Sequence, residues 1–304
     1  MNKSRWGGVL LAAGGAVGFA SKGIFAKFLY ARGMSFETLL ALRSALSLPV
    51  MWVWVLWLRG WDSIRTASRG AVLGACFGGV TCYCVGALLN FYALTMLPAS
   101  VERVILFSYP AMIVLAGMMM GRGVPSARAV IAIVLTYLGI FFTVGGFDAS
   151  LMRANSTGAI CVLICAATYS FYFLVSERYV GTLGSQQFAL FAMTAAGIAL
   201  TLLFTIRFGW RQIHMEFTDW TLMAGLVVIA TVLPMFMAAE GVRRIGAQRA
   251  ALAGTIGPVA TLFLATLLLG ERLSSLQLLG SALIVIGILV LELKRIAVVS
   301  EATV

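Results

Sequence analysis

Apolar residues run along this chain in blocks of about twenty or more, separated by short polar stretches that carry most of its charge. A helix needs about 20 predominantly apolar residues to cross the hydrocarbon of a bilayer. The blocks therefore predict ten spanning helices, at 7–30, 36–58, 70–97, 100–121, 127–146, 156–180, 185–206, 217–245, 248–269 and 275–297. The first block is too long for a signal-peptide core and lacks a convincing cleavage site, so it is expected to stay as a helix. The longest connections, 59–69, 147–155 and 207–216, contain no hydrophobic core of their own. The predicted fold class is an all-α integral membrane protein.

Composition narrows this further. Hydrophobic residues make up 61% of the 304, and charged residues only 11%, against about 25% in soluble chains. Little chain remains for a nucleotide-binding, catalytic or receptor domain. The net charge of +11 comes from 22 cations, 18 of them Arg, scattered in ones to threes between apolar blocks. A nucleic-acid surface would gather them on one face; at helix ends they act as topology signals and lipid headgroup contacts. No nucleic-acid partner is expected. The five cysteines, Cys76, Cys82, Cys84, Cys161 and Cys165, lie inside apolar blocks and read as small hydrophobes. The sequence Asn155-Ser156-Thr157 fits a glycosylation acceptor only formally.

Orientation follows from the cations on alternate sides. With the N-terminus inside, thirteen fall on the cytoplasmic side (Lys3, Arg5, Arg59, Arg65, Arg69, Arg122, Arg128, Arg178, Arg243, Arg244, Arg249, Lys294, Arg295). Seven fall opposite: Lys27, Arg32, Arg103, Arg153, Arg207, Arg211 and Arg272. Both termini are therefore placed in the cytoplasm. Lys22 and Arg43 lie within spans and belong to neither side.

The two halves of the chain match. At a shift of 148, Leu97 falls on Ile245, Ala99 on Ala247, Pro110 on Pro258, Ser126 on Ser274 and Gly139 on Gly287. At a shift of 150, Gly8 falls on Gly158 and Phe19 on Tyr169. Five spans is an odd number, so the second copy, 151–304, must cross the membrane in the sense opposite to the first, 1–150. Inverted repeats of this kind characterise secondary transporters, with substrate near the midplane between them.

The stretch Leu269-Gly270-Glu271-Arg272-Leu273-Ser274, followed by Gln277, Gly280 and Gly287, resembles the end-of-repeat motif of the EamA group of the drug/metabolite transporter superfamily. Arg43 and the Lys22/Lys27 pair also sit where that group places cations. The resemblance covers the whole chain as five plus five helices. The first repeat departs from it, with Gly123 where Glu271 would map, so any role of Glu271 is not duplicated. The resemblance implies a carrier exporting amino acids or similar small metabolites, in a bacterial inner (plasma) membrane, without a cofactor. Its partners would be a small-molecule substrate and membrane lipids; the oligomeric state is left open, and a monomer is compatible with it.

Ionisable groups inside hydrocarbon usually face a bundle interior or a water-filled cavity. Lys22 is positioned to meet a carboxylate or to snorkel outward along its stem. Arg43 reads as structural, bonding carbonyls or Glu102. Glu240 stands three and four residues before Arg243 and Arg244, the spacing of a helix-surface ion pair, or serves as a coupling group. Polar and aromatic positions complete the candidate substrate site, whose aromatic walls predict broad selectivity across neutral and aromatic amino-acid side chains. Tyr83 and Asn90, seven apart, share a helix face, as do Tyr169 and Tyr172, three apart. Ser108 and Tyr109 precede Pro110, whose missing N–H leaves a carbonyl available. Phe19 and Lys22 answer to Tyr169 and Tyr172 under the repeat alignment. Gly14 with Gly18, and Gly70, Gly74 and Gly78, mark close helix contacts.

There is no phosphate-binding loop, no acidic cluster and a single histidine, His214, so neither ATP-driven transport by this chain alone, nor a metal site, nor an enzyme is expected. Ten of eleven carboxylates are read as lying in loops, tails or last turns, leaving Glu240 as the embedded one; this favours a facilitator over a proton-coupled efflux carrier. A non-transporting assembly or sensor subunit is the alternative from another class. The orientation has a direct check: in a Cys-less background, Asp148→Cys and Arg65→Cys should label with an impermeant maleimide from opposite sides. Labelling from one side would end the ten-span scheme.

Overall fold

In a computed structural model, residues 3–59, 67–121, 126–210, 213–245 and 253–301 are described. Arg65, Arg122, Gly123, Arg211, Ala247 and Arg249 lie outside them. The described chain is helical throughout, with no strand. Its helices are α1 (Lys3–Ala20), α2 (Lys22–Ala31), α3 (Phe36–Arg59), α4 (Arg69–Gly79), a π-helical segment Val80–Gly86, and α5 (Ala87–Met96). Next come α6 (Ala99–Leu106), α7 (Tyr109–Met119), α8 (Ala127–Val144), α9 (Ala149–Leu183) and α10 (Ser185–Arg207). Last are α11 (Phe217–Val227), a second π-helical segment Val228–Val232, α12 (Leu233–Ile245), α13 (Ile256–Leu269) and α14 (Ser275–Glu301). Eight stretches are long and apolar enough to cross a membrane, and two shorter apolar helices, Ile256–Leu269 and Ser275–Val290, follow them. The outer surface is apolar: Met119 is 90% and Phe217 88% exposed, as lipid contact requires.

Three predicted helices are interrupted. The first breaks at Ser21, where the hydroxyl donates to the Gly18 carbonyl at 2.7 Å, and the Ala20 carbonyl accepts from Thr261 of α13 at 3.3 Å. Away from water such carbonyls must find partners within the protein. The fourth breaks at Phe107–Ser108, just before Pro110. The ninth breaks at Thr255 before Pro258, although residues 248–252 of that predicted helix are not described. The third and eighth each carry a π-helical segment, beginning at Val80 and Val228. One further boundary moves: the helix predicted from 156 begins at Ala149. Asp148 caps it, accepting from the Ser150 and Leu151 amides at 2.9 and 3.1 Å. The Ser150 hydroxyl, and after it these two amides, hold its carboxyl below the usual carboxylate range. The segment 149–155, expected to be a loop, is thus the first two turns of a helix.

Glycine lets the helices touch. Gly14 and Gly18 face Met237 and Pro234 of α12, while Gly74 and Gly78 face Tyr179, Tyr172 and Val175 of α9. Gly70 meets nothing within 4 Å. α8 and α14 lie side by side: a Cβ at Gly139 would come 2.6 Å from the Gly280 carbonyl, and one at Gly287 2.9 Å from that of Ala132. These are backbone-on-backbone contacts of the small-residue kind. Gly280→Val should therefore lower stability by about 1–3 kcal/mol through overpacking, read as a lower Tm in detergent. Gly181→Ala, where nothing lies within 4 Å, should leave Tm unchanged or slightly raised.

Candidate functional site

The break at Ser21 makes Lys22 the first residue of α2 and turns it into the bundle, where it is 8% exposed. Its Nζ donates to Asn90 Oδ1 of α5 at 2.6 Å. The other end of the same amide, Asn90 Nδ2, donates to Glu102 Oε1 of α6. Lys22 Nζ stands 3.8 Å from that oxygen, closing a triangle across three helices. Burying either ion alone would cost several kcal/mol; together, with an amide bridging donor to acceptor, they hold one another in place. Lys22 does not snorkel to the interface. Glu102, expected as a partner of Arg43, instead binds Asn90 and Lys22.

Two further cations surround this triangle without joining it. Arg43 of α3 (8% exposed) lies with its guanidinium carbon 5.1 Å from the Phe91 ring centre, and Lys22 Nζ is 5.3 Å from the same ring. Arg103 of α6 (9% exposed) lies 5.1 Å from the Phe107 ring, directed towards Gly257 of α13. The Nε atoms of both arginines are buried without a hydrogen-bond partner, as is the Ser108 hydroxyl at the helix break. Arg103, counted from sequence among the cations of a membrane face, is an interior residue.

The tyrosines form a contiguous wall. The Tyr83 ring, on the first π-helical segment, meets Tyr172 at 5.0 Å and Tyr169 at 6.1 Å between centres, both edge-on. Tyr109 follows, 6.3 Å from Tyr169 and stacked on Phe173 at 5.3 Å. Ser170 Oγ ties the wall to the helix break by donating to the Tyr109 carbonyl at 2.9 Å. The structure thus brings Lys22 and Asn90 together, and separately Tyr83, Tyr109, Tyr169 and Tyr172. Arg43 and Arg103 both lie in electrostatic range of Tyr169 and of Lys22, one residue from each group. Phe19, half-buried near the end of α1, makes no ring contact among the described residues. Glu240 binds Arg244 at 2.7 Å, an i,i+4 pair on α12.

Two latches close one end of the bundle. Arg32, just past α2, reaches the first turn of α11: its Nε donates to Asp219 and its Nη2 to Glu216 at 2.6 Å. The two carboxylates hold the guanidinium pKa above its ordinary value. Glu271, between α13 and α14, accepts from the Ala99 and Ser100 amides at 2.7 and 3.2 Å and from the Ser100 hydroxyl at 2.5 Å. Pro98 at the N-cap of α6 offers no side-chain acceptor, so Glu271 supplies one from across the bundle, where the positive end of the helix favours an anion. A cavity of about 530 Å³ opens beside the first latch, lined by Arg32, Ile213, His214, Met215, Glu216, Asp219 and Trp220. None of the sequence-predicted site residues lines it.

Sequence reasoning undervalued Glu102 and Arg103. Glu102 is 1% exposed, so the premise that Glu240 is the embedded carboxylate fails. The available signal was an adjacent acid and base in the first turn and a half of an otherwise apolar helix. Among the described residues no group of His, Cys, Asp or Glu could hold a metal ion.

The profile of the EamA-like transporter family matches this chain over residues 6–145 and again over 156–293. The chain is 34% identical to an uncharacterized transporter of Bacillus subtilis, YcbK, over 270 residues, 88% of this chain and 86% of the relative. It is 25% identical to an uncharacterized transporter of Synechocystis, covering 69% of this chain and 64% of that one. A solved crystal structure superposes with a TM-score of 0.64 at 18% identity, over 93% of this chain and 95% of the other. That likeness concerns the fold.

The triangle has a stability signature. Glu102→Ala strands Lys22 and should destabilise the protein by about 3–5 kcal/mol, visible as a large drop in detergent Tm. The double variant Lys22→Met/Glu102→Leu should recover most of that loss. Equal losses in both would mean the two charges do not compensate one another.

Proposed function

Starting from the fact that the chain belongs to the EamA-like transporter family, we propose that it exports amino acids and similar small metabolites across a bacterial inner membrane, by alternating access around a site near the midplane. The observation that carries this reading is the Lys22–Asn90–Glu102 triangle beside the tyrosine wall. Ionisable groups inside an apolar bundle are expensive, and in membrane proteins they mark solute and ion pathways. A few placed polar groups against aromatic surface are the usual make-up of a small-molecule site. An amino acid carries the same two charges as Lys22 and Glu102. Its carboxylate can replace Glu102 beside Lys22, and its ammonium can replace Lys22 beside Glu102, so entry leaves the net interior charge unchanged.

The proposed architecture is ten spans in two inverted five-helix repeats, 1–150 and 151–304, with both termini in the cytoplasm. Three features support it. The π-helical segments begin at Val80 and Val228, 148 residues apart. The breaks at Phe107 and Thr255 share that spacing. In the α8–α14 contact Gly139 faces Gly280 while Gly287 faces Ala132, the reciprocal pattern of a two-fold relation. The latches at Arg32 and Glu271 then belong to one gate, which must part when that face opens.

Burial of Glu102 favours a second reading of the energetics, in which transport is coupled to protons. Protonating Glu102 removes the charge that faces Lys22, so solute binding and proton binding compete there. Glu102, and not Glu240, is the group this coupling would use.

Counterflow in proteoliposomes tests the function: preloaded unlabelled amino acids should drive entry of labelled ones. Tyr83→Ala, Asn90→Ala and Tyr169→Ala should each reduce this about 5- to 150-fold, the worth of one buried hydrogen-bonding partner at 1–3 kcal/mol. Tyr137→Ala, on the half-exposed face of α8, should leave it near wild type. Normal counterflow in all three site variants would place the pathway elsewhere. An imposed proton gradient that accelerates wild type but not Glu102→Gln would establish the coupled reading over the facilitator.

A further inference from the structure

Counting charge in the bundle interior gives an imbalance. Among the described residues, the buried cations are Lys22, Arg43 and Arg103 and the buried carboxylates are Glu102 and Asp219. Asp219 is occupied by Arg32 at the end of the bundle, which leaves Glu102 facing three cations. Glu102 is itself bonded to Asn90 and paired with Lys22. Neither Arg43 nor Arg103 has a carboxylate in salt-bridge range among the described residues. Each rests against one aromatic ring, and each keeps an Nε that is buried and unpartnered. Arg43 and Arg103 both lie in electrostatic range of Lys22, and each repels it.

A bundle that excludes water gains nothing in stability from such an arrangement. Arginine is a poor choice for filling space: its guanidinium stays charged and carries five donors in a planar fork. A cation against one ring recovers about 0.5–2 kcal/mol, well short of the several kcal/mol that burying an unpaired ion costs. The unmet need is for negative charge with planar, two-oxygen acceptor geometry, the geometry of a carboxylate. The Ser108 hydroxyl, fully buried and unpartnered at the α6–α7 break, is a further donor five residues along the chain from Arg103.

We infer that the interior site selects small organic anions carrying a carboxylate beyond any that an ammonium group balances, acidic amino acids or dicarboxylates over their neutral amides, with Arg43 and Arg103 as the selecting residues. This takes its route through the membrane from the transport reading above, and it narrows the substrate class. Lys22 and Glu102 can still receive a zwitterionic head, while the extra carboxylate meets a guanidinium. A dicarboxylate without an amine would use both arginines. In either case the bound anion lowers the surplus of positive charge, so binding should stabilise the protein as well as precede transport.

Two paired probes at constant ionic strength test this: glutamate against glutamine, and succinate against succinamide. In detergent, at least one acid should raise Tm by several degrees where its amide does not. In proteoliposome counterflow the same acid should compete at least tenfold better than its amide. Arg43→Gln and Arg103→Gln should each reduce that preference tenfold or more. Because each removes a surplus charge, the ligand-free Tm should hold or rise. Amides that equal the acids in both assays would overturn the inference, as would a marked ligand-free Tm loss with the preference intact, which would make the arginines structural. Counterflow of glutamine or succinamide without an acid preference would refute the selectivity and leave the transport reading standing. An arginine-dependent Tm shift with the acids but no counterflow of any probe would support the anion site and refute transport.

Discussion

A carboxylate buried in an apolar bundle cannot be left alone, and Glu102 is the residue from which the rest of the interior is arranged. It is 1% exposed. It holds Asn90 of α5 and Lys22 of α2, so three separate helices meet at one polar point. Lys22 can reach that point because the chain breaks at Ser21 and starts a new helix, re-aiming the side chain relative to α1. The break needs its own remedy, and the hydrogen bond from Thr261 to the Ala20 carbonyl supplies it from α13. One buried charge thus implies a helix break, a bridging amide and a polar residue on a fourth helix. The principle is general: in hydrocarbon each unsatisfied group recruits another.

The aromatic wall shows the same dependence in a different form. Tyr83 sits on a π-helical segment, and such segments insert an extra residue per turn and change the direction of the side chains beyond them. Asn90, seven residues on, was placed on the Tyr83 face by regular helical spacing. The π turn lies between them, so Tyr83 meets Tyr169 and Tyr172 while Asn90 meets Lys22 and Glu102. One predicted face becomes two adjoining surfaces, one aromatic and one charged. A solute with an apolar body and an ionic head needs that combination.

Much of this was legible in the sequence, and the limits have physical causes. Apolar blocks of twenty residues identify spans because bilayer thickness leaves few alternatives, and Gly14, Gly18, Gly74 and Gly78 marked contacts that occur. Interruptions were not legible, since Ser21, Val80–Gly86 and Val228–Val232 leave hydropathy unchanged. The start of α9 was missed because Ser150, Arg153 and Asn155 interrupt its first seven residues and make them look like a loop, although Asp148 caps them into a helix. The pairing of Arg32 with Asp219 and Glu216 spans 187 and 184 residues of sequence, beyond any local rule. Glu102 was discounted for lying three residues inside a predicted span end. Depth along a helix was equated with depth in the protein, and at the start of α6 the two differ, because Glu271 and its loop cover that end.

Glu271 gives the motif at the end of the second half a mechanical meaning. Its carboxylate satisfies the two leading amides of α6, the helix that carries Glu102 and Arg103 three and four residues later. Any movement of α13 and α14 relative to α6 therefore either carries the interior charges along or breaks three hydrogen bonds. The Arg32 latch constrains α2, which carries Lys22, in the same way. Both partners of the interior ion pair are thus tied, within about three turns of helix, to a contact at one end of the bundle. Opening that end and separating Lys22 from Glu102 become parts of one displacement. Under the proposed alternating access, a solute that takes over either charge weakens the pair holding α2 to α6. It thereby favours the motion that parts the latches, a population shift set by its differential affinity for the two arrangements.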